Sequence, residues 1–148
     1  MSTTYVPTIS SATSGPLGVQ HLPRLWQKVS LDTQGKLAAG YPAIGGGYDS
    51  MVLSALGLSP DAVTNYIKTS KPTYTQFEAW VKAQPGVKLD AGTIGELNGA
   101  INGYIHSDET RNGIFSASGL TDSSCSYRDA VKLNNLDDWN EFHAAVLK

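Results

Sequence analysis

Apolar residues recur along this chain at the spacing of helices rather than of strands. Leu22, Leu25, Trp26 and Val29 stand at i, i+3, i+4 and i+7, one face of a helix, and Pro23 is tolerated because a first-turn N–H has no helical partner. Met51, Val52, Leu53 and Leu56 predict a short second helix, with Asp49 or Ser50 as cap and Gly57 as a left-handed stop. Ser59-Pro60-Asp61 sets a cap, a proline and a first-turn acid ahead of Val63, Tyr66 and Ile67. Thr73 with Gln76 makes a capping box before Phe77, Trp80 and Val81, and Pro85-Gly86 ends that segment. Thr93 with Glu96 repeats the box ahead of Leu97, Ile101, Tyr104 and Ile105. Ser107 opens a further helix through Ile114 and Phe115, closed by Gly119 and Leu120. Asn135 begins the last, whose apolar side carries Leu136, Trp139, Phe142, His143 and Val146.

No segment alternates like a strand, so an all-α fold is expected: a single compact bundle of about six or seven short helices, with a glycine-rich loop between the first two. Residues 1–18, rich in Ser, Thr, Gly and Pro and without periodicity, read as a flexible or draped N-terminal arm outside the core. Residues 19–148 then form a single helical domain, in which the polar stretch 121–134 is an ordered surface loop. Trp26, Trp80 and Trp139 fall on apolar faces and are expected in the core. Gly95, Gly99 and Gly103 share one stripe at a cost of about 1 kcal/mol each relative to Ala. That cost predicts a helix or backbone packed closely against them, inside the protein or across a dimer.

Composition narrows the setting. With 148 residues, 41% hydrophobic and 16% charged, the chain suits one globular core. A formal charge of −2 without any run of basic residues argues against nucleic acid as a partner. No apolar stretch is long enough to cross a bilayer, and the first residues lack the basic and apolar regions of a secretory signal, so no membrane partner and a soluble, cytoplasmic protein are expected. A lone cysteine, Cys125, leaves no disulfide framework or multi-thiolate zinc site. The three histidines lack the spacing of a metal pair, so no metal is expected. The glycine loop matches neither nucleotide fingerprint, and no cofactor is expected. A monomer or a homodimer is expected.

Candidate chemistry gathers near the first helix. His21, Arg24 and Lys28 stand at i, i+3 and i+7 and share a face that could receive a small anionic molecule, and protonation of His21 near pH 6.5 would tighten the grip. The competing structural reading is a solvated face with an Arg24, Lys28 and Asp32 ladder. Residues 45–47, three glycines before a helix start, could offer N–H groups to an anion, yet Asp49 sits where that anion would go. Tyr41 and Tyr48 flank the loop and either wall a small pocket or staple the loop to the core. Cys125 with His106 or His143 has no signature that pairs them as nucleophile and base.

The run Gly18-Val19, Leu22-Pro23-Arg24, Lys28, Gly40-Tyr41-Pro42, Asp49, Leu53, Leu56-Gly57-Leu58 and Trp80-Val81 resembles the bacterial domain family DUF 5069 over roughly residues 18–81. The resemblance implies a helical, cytoplasmic bacterial domain and brings no catalytic residues. The chain departs from the family's frequent Cys-Pro ahead of the aspartate, carrying Gly45-Gly46-Gly47-Tyr48 there.

Two functions follow from these residues. One is a small binding or interaction domain, with a small anion as candidate ligand. The other is a small-molecule enzyme sited at the first helix and glycine loop, with His21 as acid or base, Arg24 as anchor and Tyr41 or Asp49 as polar partners.

Overall fold

The structure, a computed structural model, describes residues 3–148. Among them are seven α-helices and no strand: α1 (Leu22–Thr33), α2 (Tyr48–Leu56), α3 (Pro60–Ser70), α4 (Tyr74–Ala83), α5 (Ala91–Gly103), α6 (Asp108–Ser118) and α7 (Ala130–Phe142), the last running into a five-residue π-helical turn, His143–Leu147. The fold is an all-α bundle, and none of these helices is long and apolar enough to cross a membrane.

Local chemistry accounts for most of the boundaries. Ser59 accepts the Ala62 N–H at the start of α3, the Thr73 and Gln76 capping box opens α4, and Ser107 accepts the Thr110 N–H at α6. Gly57 and Gly119 end α2 and α6 at positive φ, where a side chain would be strained. Three starts differ from expectation. Helix α2 begins at Tyr48 after Gly47 with no side-chain cap, because the Asp49 carboxylate turns to His21, Lys28 and the Gly45 N–H and neither it nor Ser50 caps the helix. Helix α5 begins three residues early, because the Asp90 carboxylate accepts the Thr93 N–H and makes Thr93 a first-turn residue rather than the cap. Helix α7 begins at Ala130, capped by Asp129 on the Lys132 N–H, so the last five residues of the expected 121–134 loop are helical.

Helix α1 is the hub and packs on α2, α3 and α4, while α5 joins α2 to α7 and α6 lies along α7. The main core holds Leu22, Leu25, Val29, Val52, Leu56, Ile67, Phe77 and Ile101 with neighbouring apolar residues, and Trp26 and Trp80 pack on its edge. A smaller core of Ile114, Phe115 and Leu133 joins α6 to α7. Trp139 is a correction: it is 62% exposed and shares the outer side of α7 with Phe142, Val146 and Leu147. The inner side of α7 is partly polar instead, and buries Asp138.

The glycine stripe is a second correction as far as packing within the chain goes. A Cβ added at Gly95, Gly99 or Gly103 would meet nothing within 4 Å, so no helix of the same chain packs there.

The stretch ahead of α1 contributes to the core it was expected to leave. Val6 and Ser11 are buried, and the segment is tied down along its length. Tyr5 exchanges backbone hydrogen bonds with Lys36 and Ala38, the Gln27 side chain accepts from the Thr8 and Ile9 N–H groups, and His21 N–H donates to the Thr13 carbonyl. It drapes across α1 because these backbone groups find partners there rather than in water.

Candidate functional site

The chain enters α1 through an unusual residue. His21, the N-cap, is in the left-handed region at φ 70°, a conformation that costs a non-glycine residue about 1–3 kcal/mol and persists only where surroundings enforce it. Its imidazole makes no cap hydrogen bond and lies between two other segments. Nε2 is 2.6 Å from Asp49 Oδ1 and Nδ1 is 2.9 Å from Ser11 Oγ. A carboxylate only accepts, so Nε2 carries the proton toward Asp49, and in the neutral ring Nδ1 accepts from the Ser11 hydroxyl. Burial holds His21 below its ordinary pKa of 6.5, against the opposing pull of Asp49 and with help from the Lys28 and Arg24 charges. The ring is therefore neutral at pH 7, and the expected gain of positive charge near pH 6.5 does not occur.

Asp49 in the first turn of α2 is the convergence point. Its Oδ2 accepts from the Lys28 ammonium at 2.5 Å and from the Gly45 N–H at 2.8 Å. Burial alone would raise its carboxyl; the His21 hydrogen bond, the Lys28 charge and the Gly45 N–H outweigh that and hold it below the usual range. The anion expected of the glycine loop is thus supplied by the protein itself.

Arg24, one turn below His21, reaches α7. Its guanidinium grips Asp138 in a two-bond fork, Nη1 to Oδ2 at 2.6 Å and Nη2 to Oδ1 at 3.0 Å, and Nη1 also donates to the Ile9 carbonyl at 2.8 Å. The Tyr41 hydroxyl donates to Asp138 Oδ1 at 3.1 Å, and burial together with the Asp138 charge pushes that phenol far above its ordinary pKa. Tyr48 donates to the Ile101 carbonyl at 2.7 Å; burial and the nearby Asp129 push its phenol up to about 12. Both tyrosines stay protonated and act as donors.

The six sequence candidates, His21, Arg24, Lys28, Tyr41, Tyr48 and Asp49, line one open cleft of about 290 Å³. The solvated-ladder reading fails, since Arg24 and Lys28 are buried and Asp32 is exposed and outside their pairings. The reading of a free basic row fails for the same reason: each cation already faces a buried carboxylate. Sequence reasoning missed Ser11, Asn134, Asp137 and Asp138 on the same cleft. Ser11 lies in a Ser/Thr-rich run without periodicity. The other three sit at i, i+3 and i+4, a polar stripe that was legible once the helix was taken to start at Ala130.

Asp137 differs from the other carboxylates here. It is part-buried, makes no hydrogen bond or ion pair among the described residues, and its pKa is raised by burial and by the neighbouring Asp138 and Glu141 charges, against Arg24 and His106. Chemically the cleft offers a neutral imidazole in a hydrogen-bonded chain, one uncommitted carboxylate and two phenols. Among the described residues no three His, Cys, Asp or Glu gather as a metal-ligand set.

No family model matches this chain, and no curated protein matches its sequence.

Proposed function

We propose that the protein is a small-molecule-binding domain whose ligand occupies the cleft between α1, the glycine loop and α7. One observation carries the reading: His21, Arg24, Lys28, Asp49 and Asp138 are all buried, and all of them border one open cleft rather than a sealed interior. Ion pairs that only staple segments together gain little over apolar residues of similar volume, because desolvation offsets their attraction. Ionisable groups gathered around a cleft, with a neutral histidine held at positive φ, are the pattern that binding sites leave. The charge inventory moves the ligand away from the simple anion expected first, since both cations are already paired. The low net charge and the resemblance to DUF 5069 support a cytoplasmic bacterial setting without nucleic acid.

The test uses the rim of the cleft. Gly46 is exposed, has no positive φ, and a Cβ there would meet nothing within 4 Å, so Gly46→Leu is expected to fold and to crowd the opening. In a thermal-shift screen of small polar metabolites, at least one compound should stabilise the wild type and lose that effect in Gly46→Leu but not in Lys88→Ala, a remote charge change. Hits that respond alike in both variants, or a broad screen without hits, would remove this reading.

The Ser11, His21 and Asp49 chain favours a second reading, an acyl-transfer enzyme. There Ser11 Oγ would attack an acyl carbonyl carbon while its proton passes to His21 Nδ1, Asp49 would stabilise the resulting imidazolium, and the bond from the acyl carbon to its leaving oxygen or nitrogen would break as the imidazolium returns the proton to that atom. A fluorophosphonate probe tests it: labelling of the wild type that is absent in Ser11→Ala supports an activated serine, and an unlabelled wild type contradicts it.

A further inference from the structure

The polar cleft has a neighbour of opposite character. A hollow of about 440 Å³ lies on the far side of Gly46, Gly47, Tyr48 and Asn134, residues that line both spaces. Its walls include Met51 and Tyr104, and the Tyr48 and Tyr104 rings meet edge to face at 5.8 Å. A molecule seated over the shared rim would place one end among charged groups and the other against aromatic and thioether surface.

The charges decide which kind of head group fits. Arg24 is matched by Asp138 and Lys28 by Asp49, and His21 is neutral, so the cleft walls carry one unmatched group, the Asp137 carboxylate. The N-terminus of α2 would ordinarily favour an anion, but Asp49 in its first turn already occupies that role and takes the Gly45 N–H. An ammonium beside Asp137 would gain a charge-assisted contact, and the faces of Tyr48 and Tyr104 attract cations as well as apolar bodies. An anion would meet Asp137 with no free cation to offset it.

We propose that the polar cleft and the adjoining hollow form one two-part site for a small organic cation, its ammonium beside Asp137 and its aromatic or short aliphatic body against Met51 and Tyr104. The inference rests on the reading that the cleft binds a small molecule, and it adds the ligand's charge and shape.

Three probes of similar size separate the two claims: 2-phenylethylamine, 2-phenylethanol and 3-phenylpropionate, each titrated into the full-length ¹⁵N-labelled protein. The amine is expected to shift the amides of Gly46, Gly47, Tyr104 and Asn134 and to bind about tenfold more tightly than the alcohol. In Asp137→Asn the amine and the alcohol should become equal. Asp137 is part-buried and makes no hydrogen bond or ion pair among the described residues, so the change to Asn breaks no contact and the fold is expected to persist. Equal or tighter binding of the alcohol or the carboxylate to the wild type overturns the cation assignment while leaving a small-molecule site in place. A preference for the amine that survives in Asp137→Asn overturns the role of Asp137. If the amine shifts no amide in either space, the two-part site is wrong, and the metabolite screen against Gly46→Leu then decides separately whether the cleft binds anything.

Discussion

His21 shows how burial reverses the expectation drawn from a residue type. On an exposed helix it would gain charge as pH falls through 6.5; between Ser11 and Asp49 it stays neutral, with its folded pKa below that value. Below pH 6.5 the unfolded chain takes up a proton that the folded one refuses, so this contribution is complete above 6.5 and is lost progressively as pH falls toward the folded pKa. Urea midpoints are expected to decline below pH 6.5, and a His21→Gln variant should show a shallower decline over the same interval. Parallel profiles would mean that His21 titrates normally. Arg24 gives a second residue-scale prediction. Because its removal strands Asp138 in a buried position, Arg24→Ala should lose about 3–5 kcal/mol in denaturant unfolding. The double variant Arg24→Met with Asp138→Leu should recover most of that loss, and an equal loss in both would deny that the stranded charge is the cause.

At the scale of elements, the capped helices were readable because a cap and its N–H partner are three residues apart, well within local sequence. The face made by His21, Arg24 and Lys28 was readable too, since helical periodicity alone brings them together. Their burial was not, because the carboxylates that match them are supplied from 28, 114 and 21 positions away, and no local pattern encodes such pairings. The last helix was misread for a different reason. Leu136 of its expected apolar stripe packs on the smaller core, but Trp139, Phe142 and Val146 face water, while the polar stripe of Asn134, Asp137 and Asp138 faces the cleft. Helix α5 repeats the lesson with glycine. Its Gly95 and Gly99 contact nothing that a methyl group would displace, so replacing both with Ala should raise the melting temperature, each change contributing up to about 1 kcal/mol through helix propensity. A lowered melting temperature would revive the packed stripe that the sequence suggested.

On the scale of the molecule, the cleft is assembled from four separate parts of the chain: the N-terminal stretch, α1, the glycine loop with the start of α2, and α7. Each part is held to the α1 segment by polar contacts, with Ser11 on His21, Ile9 on Arg24, Asp49 on His21 and Lys28, and Asp138 on Arg24. Loss of one part should therefore loosen the rest. Deleting residues 1–12 removes the Ile9 and Ser11 contacts and the buried Val6, and is expected to lower the unfolding midpoint and speed hydrogen exchange at the amides of 45–49. Unchanged exchange there would show that the N-terminal stretch does not support the site. The central claim, that this assembled cleft is a place for a small molecule, is tested most directly by mapping amide shifts on the wild-type protein during titration with the strongest stabilising metabolite. The account predicts shifts concentrated at residues 45–49 and 134–138 that saturate with a single affinity. Shifts scattered over the surface, or gathered on another face of the bundle, would contradict it.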